Sequence, residues 1–359
     1  SGSICFCDLY RLLEIIGYPL SRFCSKFTDR NPEDSGPLHC GKRPQLGSYR
    51  IVREIGGGAR GMCCYLAEHT QGSARAAVKW PVPRGELSVL KAIHRHSGGR
   101  CLGVARLLDT GIFEGQNYMV TELLGSPFQK VFSRLHQTLP ALEQRWDAIS
   151  LLGRMLVRRL QALHECGYVH CDISPENILL GHTAPSSPGG RPRFAPFLVD
   201  FGLARRYPGG GPLGGEFGSA EWNSIRSADD GERKPEDDLE SLGWVMVTGL
   251  FGTLPWVEWL SHAYTDWGSR QTRNSAIKQV QQAKLQLLEE GWDSLGWPQL
   301  AQVPSQLDNY IRECRLASSN AGPDYSFLLA LLGCNPDLSV EEAEEEDLAL
   351  FGETVAPLL

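Results

Sequence analysis

Two periodicities divide this chain. Between residues 49 and 122 the apolar and β-branched residues come in short runs, at 49–55, 63–69, 74–79, 107–110 and 117–122, separated by glycine-rich turns. Runs of that length and composition read as strands of an antiparallel sheet. One helical stretch, at about 86–94, interrupts them. After Gly125 the period changes. Trp146, Ile149, Leu152, Leu156, Leu160 and Leu163 step by three and four, which puts them on one face of a long helix. Residues 238–250 and 276–288 also read as helices. Strands first and helices later is an α+β order, not the alternation of a βαβ chain. Asn31-Pro32, Gly36-Pro37, Pro44 and Gly47 mark a linker between an N-terminal extension and a domain starting at Tyr49. Residues 182–196, rich in Pro, Ser and Gly, read as a surface loop.

The 359 residues are enough for about two or three domains, or for one large two-lobed enzyme. With 42% hydrophobic and 21% charged residues the chain is not wholly disordered. Its longest apolar stretch, at 327–332, is far shorter than the roughly 20 residues a membrane helix needs, so no membrane span is expected. Residues 4–20 are apolar-rich but broken by Asp8, Arg11 and Glu14, which fits an amphipathic helix better than a signal peptide. The formal net charge is −7, yet eight acidic and no basic residues lie from Asp337 onward, so the rest of the chain carries +1. A nearly neutral body is not that of a strongly basic nucleic-acid binder, and no nucleic-acid partner is expected. Residues 341–347 read as a solvated acidic tail. Eleven cysteines, an odd number with no C-x-x-C pair, predict reduced thiols and a cytoplasmic or nuclear protein.

Four short motifs carry chemistry. Gly56, Gly58 and Gly61 form a G-x-G-x-x-G between two strand patterns. Glycine lets backbone amides approach phosphate, and the strand–strand setting argues for a phosphate-covering hairpin over a dinucleotide fingerprint. A plain glycine-rich turn has the same sequence. Ala77-Val78-Lys79 ends the next strand with a lysine 18 residues after Gly61. Such a lysine is commonly an edge charge, but here it is within reach of the same phosphates. His170-Cys171-Asp172-Ile173-Ser174-Pro175-Glu176-Asn177 follows the long helix, and its Asp and Asn five residues apart fit a proton acceptor and a metal ligand in one loop. Asp200-Phe201-Gly202 follows an apolar run, and a carboxylate there can hold Mg²⁺ against phosphates.

In this order and at these separations the motifs resemble those of the eukaryotic protein kinases. Later segments narrow the resemblance to the casein kinase 1 group over about residues 49–333. They are Glu122-Leu123-Leu124-Gly125, Gly218-Ser219-Ala220-Glu221-Trp222-Asn223-Ser224-Ile225, Asp237-Asp238-Leu239-Glu240-Ser241-Leu242-Gly243, Gly252-Thr253-Leu254-Pro255-Trp256, Cys314-Arg315 and Pro323-Asp324-Tyr325-Ser326. The resemblance implies an antiparallel β N-lobe with one regulatory helix (49–125), a mainly helical C-lobe (126–336), an extension at 1–48 and an acidic tail at 337–359. It implies a Ser/Thr protein kinase that uses ATP and Mg²⁺ in a cleft between the lobes, with a protein substrate. Lys79 would contact the α- and β-phosphates and pair with Glu86. Asp172 would accept the substrate hydroxyl proton, and Asn177 and Asp200 would hold Mg²⁺. Gly56, Gly58 and Gly61 would cover the phosphates. Ile55, Ala77 and Leu179 would lie against the purine, Cys63 would be among the nucleotide-binding residues, Glu122 and Leu124 would offer the purine backbone groups, and Thr121 would stand as gatekeeper. Core packing accounts equally well for Thr121, Leu124 and Leu179.

The chain departs from the family pattern at four places. Cys171 replaces the arginine that grips a phosphorylated activation segment. Ser174 replaces a lysine that neutralises γ-phosphate charge, a loss expected to slow phosphoryl transfer. Glu86 follows Lys79 by only seven residues; the six between them can span about 20 Å, so the chain can turn back, with Glu86 in the first turn of a shortened helix. The 202–218 segment is short and glycine-rich, and Glu221 stands where the group has a basic residue, with Arg205 and Arg206 nearby. Two readings follow: an active Ser/Thr kinase, favoured by Lys79, Asp172, Asn177 and Asp200 together, and a weak or inactive pseudokinase scaffold, favoured by Cys171 and Ser174.

Overall fold

The computed structural model describes residues 44–57, 62–96, 103–183, 193–214, 217–229, 231–265, 270–316 and 322–359. The chain divides into two compact units, Ser1–Ser88 with Arg106–Leu123, and Val89–Ala105 with Leu124–Leu359. The apolar stretch at 4–20, Gly58 and Gly61 lie outside the described residues.

In the first unit, β1 (Gln45–Leu46), β2 (Tyr49–Gly57), β3 (Cys63–His69), β4 (Arg75–Trp80), β5 (Leu107–Phe113) and β6 (Gln116–Glu122) form one antiparallel sheet in the order β1-β2-β3-β4-β6-β5. Strand alternation sets its faces. Ala76, Val78 and Trp80 of β4 point to a core with Ile51, Tyr65, Ala67, Tyr118 and Val120. Trp80 Nε1 also donates to the Phe113 carbonyl at 3.2 Å. The sheet starts earlier than the sequence suggests. Residues 45–46, expected in the linker, pair with β2 through a tight turn in which Gly47 holds a φ of 56°. Helix α1 (Arg84–His96) follows β4.

The second unit contains α2 (Phe128–Thr138), α3 (Leu142–Glu165), β7 (Tyr168–Val169), β8 (Ile178–His182), β9 (Phe194–Leu198), β10 (Arg205–Arg206), β11 (Pro212–Leu213), β12 (Gly231–Glu232), α4 (Pro235–Phe251), α5 (Val257–Thr265), α6 (Arg270–Glu290), α7 (Ser305–Leu316), α8 (Tyr325–Leu331) and α9 (Val340–Thr354). At its centre α4 is buried from Pro235 to Leu250 and packs against α3 and α7. Its start combines Pro235 with the Asp237 carboxylate, which accepts from the Lys234 N–H at 2.8 Å, and Gly252 closes its end at a φ of 84°. The loop expected over 182–196 is shorter than the sequence implies, because β8 and β9 pair from Ile178↔Leu198 to His182↔Phe194.

The acidic C-terminus is not a solvated tail. Ser339 and Glu342 form a capping box, and α9 buries Ala343, Asp347, Leu348 and Phe351. Asp347, 2% exposed, accepts from Arg154 Nη2 at 2.6 Å and from Arg158 Nη1 at 2.5 Å. Glu344 takes both Nη groups of Arg159, at 2.7 and 2.8 Å. The physical reason lies in α3, where Arg158 and Arg159 are 3% and 0% exposed. Guanidinium groups out of water need anions, and α9 supplies them.

Candidate active site

On the first unit's sheet, register decides which side chains share a face. Gly56 lies opposite Cys64, Cys64 opposite Lys79, and Ala77 opposite Thr121, so these residues line the face away from the core. Cys63 does not belong with them. It stands opposite Trp80 and packs against the buried cluster, which removes it from the candidate nucleotide contacts and leaves Cys64 on the Lys79 face. Ile55 is exposed at the irregularity between Glu54 and Gly56. Glu122 caps its strand by accepting from the Arg106 N–H at 2.7 Å.

Lys79 Nζ lies 2.7 Å from Glu86 Oε1, both side chains being largely buried. The short spacing is accommodated because α1 begins at Arg84, bringing Glu86 back in its first turn. The connection is anchored where the Val82 N–H donates to the Asn117 carbonyl at 2.8 Å.

In the second unit, Asp238 at the start of α4 organises the loop after α3. Its Oδ2 accepts from the His170 N–H at 2.6 Å and its Oδ1 from the Cys171 N–H at 2.9 Å. His164 Nε2 lies 2.9 Å from Oδ2, and the Tyr325 hydroxyl lies 2.7 Å from His164 Nδ1. Burial alone would push the Asp238 carboxyl up, but the His164 bond and the nearby His164 and His170 outweigh it and hold the carboxyl below its usual range.

That scaffold presents Asp172. Oδ1 accepts from the Ser219 N–H at 2.9 Å and the Ser219 hydroxyl at 2.8 Å, and Oδ2 from Asn177 Nδ2 at 3.0 Å. Burial raises the Asp172 carboxyl above its ordinary value and the charge of Asp200 adds to this, while Ser219 and His170 pull it down. Ser219 is brought in by Gly218, at a φ of 84°, where a Cβ would crowd Asn223 and the Cys171 carbonyl. Asn223 Nδ2 donates to the Phe217 carbonyl at 2.9 Å, and Lys284 Nζ to the Asn223 carbonyl at 2.7 Å.

Asp200 follows β9 in a left-handed conformation, φ 62°, and accepts from the Gly202 N–H at 3.3 Å. The Val199 N–H donates to the Asn177 carbonyl at 3.0 Å, tying that strand end to the Asp172 loop. Asn177 and Asp200 supply hard oxygen atoms of the kind Mg²⁺ prefers, and phosphate oxygens and water can complete such a set. Leu124 and Leu179 lie near one another, since the Gly125 N–H donates to the Leu180 carbonyl at 2.6 Å and Leu179 bridges Pro127.

Cys171 is 7% exposed at a φ of 67° and packs with Val169 and Leu213. Burial pushes its thiol well above the usual range. Leu203, Tyr207 and Phe217 pack against the same cluster, so apolar contact fills the place where an arginine would meet a phosphate. Ser174 is 2% exposed.

The sequence reading missed the parts assigned here to Ser219, His164, Asn223 and Lys284. Ser219 and Asn223 lie in a quoted segment, but their partners stand 47 and 61 residues away. The family model for the protein kinase domain matches residues 49–315, about three-quarters of the chain. The chain belongs to the protein kinase domain family, whose members generally transfer phosphoryl groups from ATP with Mg²⁺. Helices α8 and α9 lie beyond the matched span.

Proposed function

We propose that this chain is an active Ser/Thr protein kinase of casein kinase 1 type, transferring the ATP γ-phosphoryl group to a protein hydroxyl in the cytoplasm or nucleus. Residues 49–125 serve as N-lobe and hinge and 126–336 as C-lobe, to which 337–359 add a packed helix. The observation that carries this reading is the Asp172 carboxylate. It is held from both sides by Ser219 and Asn177 and already engages an alcohol hydroxyl at 2.8 Å. A carboxylate that accepts one hydroxyl is suited to orient a substrate hydroxyl and take its proton. Lys79, fixed by Glu86, contacts the α- and β-phosphates. Mg²⁺ would be held by Asp200 and Asn177 and would neutralise phosphate charge. The substrate oxygen attacks the γ-phosphorus, its proton passes to Asp172, and ADP leaves. The Ser/Thr and casein kinase 1 assignments rest on the late motifs from Gly218 to Ser326.

The alternative is a weak or inactive kinase that binds ATP as a scaffold. Ser174, buried and uncharged in the same loop as Asp172, favours it. Turnover of Mg·ATP on casein or a peptide array, comparing wild type with Asp172→Asn, decides between them. Phosphotransfer that depends on Asp172 supports the enzyme, and ATP binding without phosphotransfer supports the scaffold.

A further inference from the structure

From Phe201 to Gly218 the sole side-chain hydroxyl is that of Tyr207, so this segment offers no serine or threonine to phosphorylate. It is nevertheless tied down from Arg205 to Leu213. β10 pairs with β7, β11 pairs with β12, and the Tyr207 N–H donates to the Gly167 carbonyl at 2.9 Å. Between the two strand pairs stands an anion. Glu232 Oε1 accepts from the Gly209 N–H at 2.6 Å and from the Gly210 N–H at 2.9 Å. Gly209 and Gly211 hold φ values of 93° and 75°, and a Cβ at Gly210 would overlap the Arg206 carbonyl. Successive amides turned toward one point form a concavity that selects an anion. Arg226 keeps Glu232 in place, its Nη1 donating to the Glu232 carbonyl at 3.2 Å while its Nη2 pairs with Asp237.

We infer that Glu232 is the built-in anion that orders the activation segment, doing from β12 what a segment phosphate does in phosphorylation-dependent kinases. The inference rests on the kinase reading above. Glu232 is a positioning residue. Ordering 209–214 seats Leu213 on Cys171, and Phe217, whose N–H donates to the Gly214 carbonyl at 3.1 Å, joins the same cluster. Ser219 follows two residues later, against Asp172. Glu232 acts electrostatically on Tyr207 together with Glu236, Arg226 and Asp237, and Arg226 pairs with Asp237.

The test is Glu232→Ala with chemical rescue. A charge-assisted hydrogen bond is worth enough for its loss to speed local opening about 10-fold or more. Amide hydrogen exchange across 209–213 is expected to accelerate by that factor, while α4 amides stay unchanged. Peptide kcat should fall about 10-fold with the KM for ATP held within about 2-fold. Formate at roughly 0.1 M, a carboxylate able to refill the concavity, should restore part of both the protection and the rate, where sodium chloride at equal ionic strength does not. Glu232→Gln, which keeps the acceptor but not the charge, should fall between wild type and Glu232→Ala. Unchanged exchange at 209–213 in a folded Glu232→Ala variant overturns the inference, as does formate acting no better than chloride. The exchange arm needs no turnover. An inactive wild type would therefore sink the kinase reading, while the exchange result still decides whether Glu232 orders the segment.

Discussion

Replacing Asp347 by Asn tests whether the C-terminal helix belongs to the folded core. The Asp347 carboxylate is nearly inaccessible and serves two guanidinium groups, of Arg154 and Arg158. After the substitution Arg158, 3% exposed, loses the closer of its two carboxylates and keeps only Glu344 at 3.5 Å and Cys334 Sγ at 3.3 Å. Breaking a buried pair by removing one partner costs about 3–5 kcal/mol. The natural control sits on the same helix. Arg193 and Glu345 pair at 2.6 Å with side chains 40% and 44% exposed, and Glu345→Ala should cost about 0–1 kcal/mol. Denaturant unfolding followed by fluorescence should separate the two, and at about 2–4 °C per kcal/mol Asp347→Asn should lower Tm by about 6–20 °C. The double variant Asp347→Leu with Arg158→Met should recover part of the loss, since it removes the Arg158 charge along with its partner while Arg154 keeps the Leu332 and Gly333 carbonyls. Equal destabilisation by Asp347→Asn and Glu345→Ala would refute the argument, because it would mean that the buried arginines do not depend on α9.

Because burial raises the Asp172 carboxyl, kcat/KM should fall on the acid side through a midpoint above the usual carboxylate value. Ser219→Ala removes a bond that favours the ionised form and should move that limb to higher pH; a shift to lower pH in the pH–rate profile would contradict the assignment. Lys284, buried between the Trp244 and Trp256 rings, is pulled from 10.5 down to about 7 by burial. Between those values the unfolded chain binds a proton that the folded chain does not, so wild-type stability should rise with pH relative to Lys284→Met, and parallel stability curves would refute this. Ser174→Lys should raise kcat/KM about 5-fold by bringing a cation toward the transferring phosphoryl group, since Arg205 is engaged with the Leu203 and Ala204 carbonyls; no gain in steady-state rate would remove the missing-cation argument.

What the sequence revealed and what it concealed divide by range. The strand at Cys63–His69 and the core face of α3 follow from periods of two and 3.6, which neighbours in sequence determine. His170 to Asn177 fits in one loop, so the contact between Asp172 and Asn177 was legible there. The resemblance placed Cys63 among the nucleotide contacts where the structure puts Cys64, because the side-chain face depends on register with β4. The acidic tail was misread for the same reason on a larger scale. Asp347 is 193 residues from Arg154 and 189 from Arg158, and no local pattern announces that α3 carries arginines needing anions. Glu232 likewise meets amides more than 20 residues away.

The central claim is that Asp172 makes this chain a working phosphotransferase. The most direct measurement is transfer of labelled γ-phosphate from Mg·ATP to casein, by wild type and by Asp172→Asn at matched folding. The account predicts transfer by wild type that falls at least about 100-fold in the variant, the lower end of what a positioned acid–base group contributes. Equal incorporation by the two proteins, or none by a folded wild type that is stabilised by Mg·ATP, would contradict it.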